Sequence, residues 1–364
     1  MNEKGLEFYD RLVDALLEAG IQPFATLFHW DLPQTLQEQG GWVARGSVDA
    51  FAEYARAVGL RLGDRVRNWI THNEPWCVTV LGNQQGKHAP GVRDWHAALA
   101  TSHHLLLSHG AAVRALRSID HSFQVGIALN LVPAIPASPS EADRDATRHF
   151  DGSFNRWFLD PIHGRGYPED ILRDYETDGS LPPNWHSLVR EGDLATIAET
   201  TDFLGINYYR RDVVRSKTMS PDLNAPRTVH LPPDDQLTTM GWEIYPEGMY
   251  DILHRVHVDY APRCIYVTEN GASFNDLPTT EGTVSDVNRI NFLREHLWAA
   301  QRAIVAGVPL RGYFLWSLMD NFEWERGYDP RFGMVRVDYS TQERTLKQSA
   351  LWYREVIRAN SVER

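Results

Sequence analysis

The chain has 364 residues, 43% of them apolar, and a formal net charge of −12. That is ample for a large buried core, and the acidic balance excludes nucleic acid and an anionic membrane surface as partners. No apolar run approaches a membrane span, Met1-Asn2-Glu3-Lys4-Gly5 has no apolar signal core, and Cys77 and Cys264 give neither a disulfide framework nor a zinc spacing. A reduced, cytoplasmic enzyme is expected. The adjacent pair His103-His104 looks metal-like, but there is no HExxH motif, and packed or solvated histidines are the expected reading. No metal and no cofactor are expected.

Leu6, Tyr9, Leu12, Val13, Leu16 and Leu17 recur at helical spacing, with Asn2 placed to cap the helix and Gly20 to end it. Phe24-Ala25-Thr26-Leu27-Phe28 reads as a buried strand running into His29-Trp30-Asp31-Leu32-Pro33. Ser47 starts a helix with Val48, Phe51, Tyr54, Ala55 and Val58 on one face. A strand containing Val66, Trp69 and Ile70 follows and turns polar at Thr71-His72-Asn73-Glu74-Pro75-Trp76, where Pro75 stops pairing. Next come a helix over 95–119 and a strand over 125–130. Residues 141–158 read as helix, 160–185 as loop, and 203–209 as strand. Residues 211–240 read as a long connection that walls a cleft. A helix over 246–258 leads to Ile265-Tyr266-Val267-Thr268-Glu269-Asn270-Gly271, a second β-rich run ending in a glutamate. A helix over 285–306 with Ile290, Leu293, Leu297 and Ala300 inward, a strand over 310–319 and a helix over 346–359 complete the chain.

Strand and helix alternate throughout, which implies a parallel sheet with helices outside it. Polar or aromatic clusters end every strand, which points to a TIM (β/α)8-type barrel rather than an open sheet with one crevice. Residues 1–364 read as one domain, with no internal repeat or linker. A closed barrel of this type takes eight strands, and six are found, so the barrel is expected to be incomplete. A glutamate at a strand end, as at Glu74 and again at Glu269, is how such a barrel presents catalytic groups. The 12 tryptophans include rings at strand ends, suited to stacking on sugars.

The motifs resemble glycoside hydrolase family 1, the β-glucosidase family, over essentially the whole chain. Those that carry it are Phe28-His29-Trp30-Asp31-Leu32-Pro33, Thr71-His72-Asn73-Glu74-Pro75, Gly205-Ile206-Asn207-Tyr208-Tyr209, Val267-Thr268-Glu269-Asn270-Gly271 and the stretch from Trp316 to Trp324. Lesser matches are His88-Ala89-Pro90-Gly91, Asn155-Arg156-Trp157-Phe158 and the stretch from Gly241 to Pro246. The resemblance implies retaining cleavage of β-D-glucosides, with β-galactosides and β-fucosides as side substrates. Glu269 would be the nucleophile and Glu74 the acid/base, about 5–5.5 Å apart. Tyr209 would donate to Glu269, and burial beside Trp76 and Pro75 would favour a protonated Glu74. Asn73 would hold the sugar 2-hydroxyl. Asn207 belongs to the same set. His29, Trp30, Glu323 and Trp324 would hold the hydroxyl edge, with Trp316 beneath the ring and Trp76 and Trp242 beside the leaving group. Glu323 disfavours a 6-phosphorylated sugar. The family's barrel has two βα units ahead of the first helix seen here, carrying a glycone-binding Gln and an Arg beside the nucleophile. Without them the chain is expected to expose open barrel edges and to self-associate through them. The alternative reading is an inactive or sugar-binding fragment.

Overall fold

The computed structural model describes residues 2–217, 233, 236–280 and 282–362. In chain order the elements are α1 Glu3–Glu18, β1 Phe24–Phe28, α2 Gln34–Glu38, α3 Gly46–Leu62, β2 Asn68–Asn73, α4 Trp95–Arg117 and β3 Gln124–Asn130. There follow β4 Ala134–Pro136, α5 Glu141–Asp151, α6 Trp157–Ile162, α7 Glu169–Thr177, α8 Trp185–Leu188, α9 Asp193–Ile197, β5 Phe203–Asn207 and β6 Asp212–Val214. The remainder comprises α10 Glu247–Tyr260, β7 Ile265–Asn270, α11 Val287–Val305, β8 Leu310–Leu315, β9 Val335–Val337, β10 Arg344–Leu346 and α12 Gln348–Ala359. The fold is α/β. Six strands form a sheet in the order β1-β2-β3-β5-β7-β8, which is also their order along the chain. The chain divides into two compact units, Met1–Asn130 with Gly152–Gly205 and Leu131–Asp151 with Ile206–Arg364.

In the first unit, the Asn2 side chain accepts from the Gly5 N–H and starts α1, while Gly20 leaves it at a φ of 71° that favours glycine. β1 and β3 pair in parallel with β2, all six residues of which are buried. Its register against β3 shifts between Ile70 and Asn73, so the strand bends just before Glu74. Phe51 and Ala55 of α3 and Leu105, Val113 and Leu116 of α4 pack on Phe28, Trp69 and Val125 of the strands. α4 is buried at every position from Ala98 to Gly110, so the polar groups within it need internal partners. His103 bonds Tyr167 at 2.9 Å and Asp193 at 3.0 Å, Thr71 bonds His109 at 2.7 Å, and Ser108 bonds His72 at 2.8 Å. Arg45 grips Asp193 with two nitrogens at 2.8 and 2.5 Å.

In the second unit, β7 pairs in parallel with β8, β4 with β6, and β9 runs antiparallel to β10. A buried ionic chain ties its loops together. Arg289 meets Asp286 and Asp276, each at 2.6 Å, Lys347 meets Asp276 at 2.6 Å and Asp320 at 3.0 Å, and Arg331 meets Asp320 at 2.9 Å.

The structure departs from the sequence reading in several places. The stretch 160–185 holds α7, which begins directly after Pro168. The strand read to Tyr209 ends at Asn207, although the Tyr208 N–H still donates to the Glu269 carbonyl at 3.0 Å. The strand read to Met319 ends at Leu315. The Trp316 N–H makes a last bond to the Asn270 carbonyl, after which the Ser317 N–H donates to the Phe332 carbonyl at 3.3 Å and the Val335 N–H to the Leu318 carbonyl at 2.9 Å. On α11, Ile290 and Leu297 are only half-buried, and Arg289, Phe292, His296 and Ala303 join Leu293 and Ala300 on the buried face. The connection read over 211–240 contains β6, and residues 218–232, 234 and 235 of it lie outside the described residues.

Candidate active site

The expected site residues fall in both units. His29, Trp30, Asn73, Glu74 and Trp76 lie in the first, and Asn207, Tyr209, Trp242, Glu269, Trp316, Glu323 and Trp324 in the second.

The first group is built on the C-terminal ends of β1 and β2. Trp30 donates its indole N–H to the Asn73 carbonyl at 2.9 Å, and the Asn73 amide meets His29 Nε2 at 3.2 Å. These two bonds tie the loop after β1 to the end of β2, and the second orients the Asn73 side-chain amide. Burial depresses His29 to about 4, so its imidazole is neutral near pH 7. Trp30 lies 5.3 Å from the His88 ring. A cavity of about 540 Å3 opens beside Trp30, with Phe28, Leu32, Trp42, Val78 and His88 among its lining residues. Glu74 follows β2 directly, is 6% exposed, and donates its backbone N–H to the Ala128 carbonyl of β3 at 2.9 Å. Its carboxylate Oε2 accepts from the Cys77 thiol at 3.0 Å. Half-buried Trp76 packs on Phe154, ring centroids 4.3 Å apart.

The second group is built on the ends of β5, β7 and β8. Glu269 lies within β7 and is 9% exposed. The Tyr209 hydroxyl donates to its Oε2. Thr268 donates to the Asn207 side-chain oxygen at 2.6 Å, and Asn270 donates to the Tyr208 carbonyl at 2.6 Å. β5 and β7 are therefore locked together on both sides of the glutamate. Trp242 lies 5.2 Å from Tyr209, with the Arg210 guanidinium 5.6 Å from its ring. A Cβ on Gly271 would stand 1.8 Å from the Trp316 carbonyl oxygen, so only glycine lets β7 and β8 approach here. The loop after Trp316 is pinned through buried Asp320, which accepts from Arg331, Lys347 and the Gly333 N–H. It then turns through Glu323, whose N–H bonds the Gly327 carbonyl at 2.7 Å, and both Glu323 and Trp324 are half-buried.

Backbone strain marks the same residues. Among the described residues, six non-glycine positions have positive φ: Trp30, Glu74, Ala261, Trp324, Gln342 and Asn360. Ala261 and Asn360 are ordinary left-handed helix caps. Trp30 at 78°, Glu74 at 46° and Trp324 at 48° each sit in a motif singled out from the sequence. A left-handed tryptophan or glutamate costs about 1–3 kcal/mol and persists only where its surroundings impose it, which is common at working sites.

Sequence reasoning gave Cys77 no role once a disulfide framework and a zinc spacing were set aside, and it did not single out Asn130, Phe154 or Asp320. Cys77 had one legible signal, its place three residues after Glu74 at a helical start. The other contacts are tertiary. Cys77 and Cys264 are not joined in a disulfide. Among the described residues no group of three or more His, Cys, Asp or Glu is placed to hold a metal ion, and no helix is long and apolar enough to cross a membrane.

Comparison with known proteins adds to this geometry. Beta-glucosidase A of Thermotoga maritima is 47% identical over 368 residues, covering 100% of this chain and 79% of the relative. The bifunctional beta-D-glucosidase/beta-D-fucosidase of Bifidobacterium breve is 40% identical, covering 99% of this chain and 80% of the relative. The structure of the beta-glucosidase from Thermotoga maritima in complex with glucoimidazole superposes with a TM-score of 0.92 at 45% identity, covering 100% of this chain and 80% of that one. The sequence profile described as Glycosyl hydrolase family 1 matches residues 1–362, and the chain belongs to that family.

Proposed function

We propose that this chain is a retaining β-glycosidase acting on terminal β-D-glucosides, with β-galactosides and β-fucosides as side substrates. The observation that carries the reading is the Tyr209–Glu269 pair, a buried strand-borne carboxylate held by a phenol in a chain of this family. The hydroxyl bond favours the ionised form that a nucleophile needs. In the first step a Glu269 oxygen attacks the anomeric carbon, the bond to the glycosidic oxygen breaks, and Glu74 gives that oxygen its proton. The aglycone leaves as an alcohol and a glycosyl ester of Glu269 remains. In the second step the Glu74 carboxylate takes a proton from water. The resulting oxygen attacks the same carbon, the ester bond breaks, and both glutamates return to their starting states. Two inversions give net retention. Asn73, Asn207, His29, Trp30, Glu323 and Trp324 bind the sugar in this reading, Trp316 lies under the ring, and Trp76 and Trp242 border the aglycone. The partner is a small β-glycoside or oligosaccharide, met in the cytoplasm.

The same reading treats the six-stranded order as six of the eight strands of a barrel, with the two βα units ahead of α1 as the remaining share. Burial supports it. β2 is buried along its whole length, whereas none of the six residues of β8 is fully buried. Phe8, Leu12, Leu17 and Ile21 are exposed at the β1 end of the order, and Phe314, Leu318, Met319 and Phe322 at the β8 end. Edges of this kind recruit other chains, so self-association belongs to the same proposal.

Turnover of an aryl β-D-glucoside, followed by NMR, tests the function. The reading expects β-glucose as the first product. An α-anomer, or binding without turnover, contradicts it.

A further inference from the structure

The Cys77 thiol is the observation that the two-carboxylate mechanism leaves unused. Its Sγ lies 3.0 Å from Glu74 Oε2, and both residues are 6% exposed. The backbone fixes this encounter. Glu74 takes its positive φ at the end of β2, Pro75 and Trp76 open a helical turn, and the Cys77 N–H closes it on the Glu74 carbonyl at 2.9 Å. The chain then continues as a π-helical segment, Cys77–Gln84, a winding often found beside working sites. Behind the sulfur stands Asn130 at the end of β3, whose Nδ2 donates to Sγ at 3.8 Å. A thiol has a single proton. With the amide donating from one side, that proton points to the carboxylate on the other.

We propose that Cys77 is a positioning residue for Glu74, with Asn130 orienting the thiol and the thiol assigning the two carboxyl oxygens different tasks. Oε2 accepts from sulfur, so the proton that Glu74 transfers resides on Oε1. A donor on the carboxylate also favours the ionised form, the state in which Glu74 activates water in the second step. A buried cysteine is more often a small packed hydrophobe, and that role would leave the pH dependence of the reaction unmoved.

The inference rests on Glu74 as the acid/base, and the test separates the two. The pH profile of kcat/KM is measured for the parent, Cys77→Val, Cys77→Ser and Glu74→Gln, on p-nitrophenyl and methyl β-D-glucosides. Cys77→Val should move the alkaline limb up by about half a unit or more, since the group that favours the carboxylate is gone. Cys77→Ser keeps a donor and should stay close to the parent. A Cys77→Val profile that overlays the parent, while Glu74→Gln loses the methyl glucoside, overturns the role of Cys77 alone. A Glu74→Gln enzyme that still cleaves the methyl glucoside removes the acid/base reading and this inference with it. A second readout needs no turnover and covers the case in which Cys77→Val fails to fold. In Cys264→Ser protein, Cys77 is the only thiol, and its S–H infrared band should shift as pH carries Glu74 through ionisation. The band should stop shifting when Glu74→Gln is added. A band that ignores pH overturns the proposal.

Discussion

Tyr209 and Glu74 are the residues on which the chemistry can be tested one atom at a time. Tyr209→Phe removes only the hydroxyl that donates to Glu269. A hydrogen bond to a charged group is worth about 1.5–3 kcal/mol, so kcat/KM should fall by about one to two decades while the melting temperature stays close to the parent. An unchanged rate would remove the tyrosine from the mechanism. Glu74→Gly should lose most of its activity on poor leaving groups and regain turnover of aryl glucosides when azide is added, because a small anion can take the place of the missing base. Failure of azide to rescue would count against the acid/base role. At this scale the sequence was informative wherever a motif named its own chemistry, as in Thr-His-Asn-Glu-Pro and Thr-Glu-Asn-Gly. It was silent where a residue acts through the fold. Gly271 stood in the sequence only as the last residue of a motif, and the approach of the Trp316 carbonyl shows why no side chain fits there.

The elements tell a similar story through α4. Asp94, not singled out in the sequence, caps the helix by accepting from the His96 and Ala97 N–H groups, and the length of the helix was legible. Its burial from Ala98 to Gly110 was not, because a helix enclosed on all sides carries polar residues whose partners lie far along the chain. α7 escaped for the opposite reason, since flanking prolines read as loop until Pro168 is seen to stand at its start. The burial of α4 has a consequence for acid stability. Burial lowers His103 to about 4, against a weaker upward pull from Asp193, and lowers His109 to about 3. Both folded values lie below the unfolded value of 6.5, so the unfolded chain binds protons that the folded chain refuses. Their contribution is complete above pH 6.5 and is lost as pH falls toward 4 and 3. At pH 5 each of the two should have cost about 2 kcal/mol. Asp193 acts in a separate window. Burial would raise it, but the bonds from Arg45 and His103 outweigh that and hold it below the usual carboxylate range, so its contribution fades only below pH 3.8. Urea unfolding at pH 7 and pH 5 checks the point, with a clear drop in midpoint expected for the parent and a smaller one for His109→Asn. Equal midpoints at the two pH values would contradict the neutral buried histidines.

For the whole molecule, alternation of strand and helix made the parallel sheet legible, and the strand order follows the chain order as that pattern requires. Burial could not be read the same way, since whether an apolar strand is covered depends on its neighbours. Open edges were expected from the strand count, but which residues of β8 stay exposed came only with the structure. If six strands are six of eight, a longer chain carrying two further βα units ahead of α1 should bury those faces. It should run as a monomer in size-exclusion chromatography, melt at a higher temperature, and exceed this chain in kcat/KM by about one to two decades through the charge-assisted contacts regained. Equal stability, equal oligomeric state and equal rate would refute the six-of-eight reading. The central claim, a covalent double displacement at Glu269, is tested most directly by trapping. Incubation with an activated 2-deoxy-2-fluoro-β-D-glucoside, proteolysis and mass spectrometry should find one fluoroglucosyl group on the peptide containing Glu269, and none in Glu269→Gln. A label on another residue, or no label in protein that turns over the aryl glucoside, would contradict it.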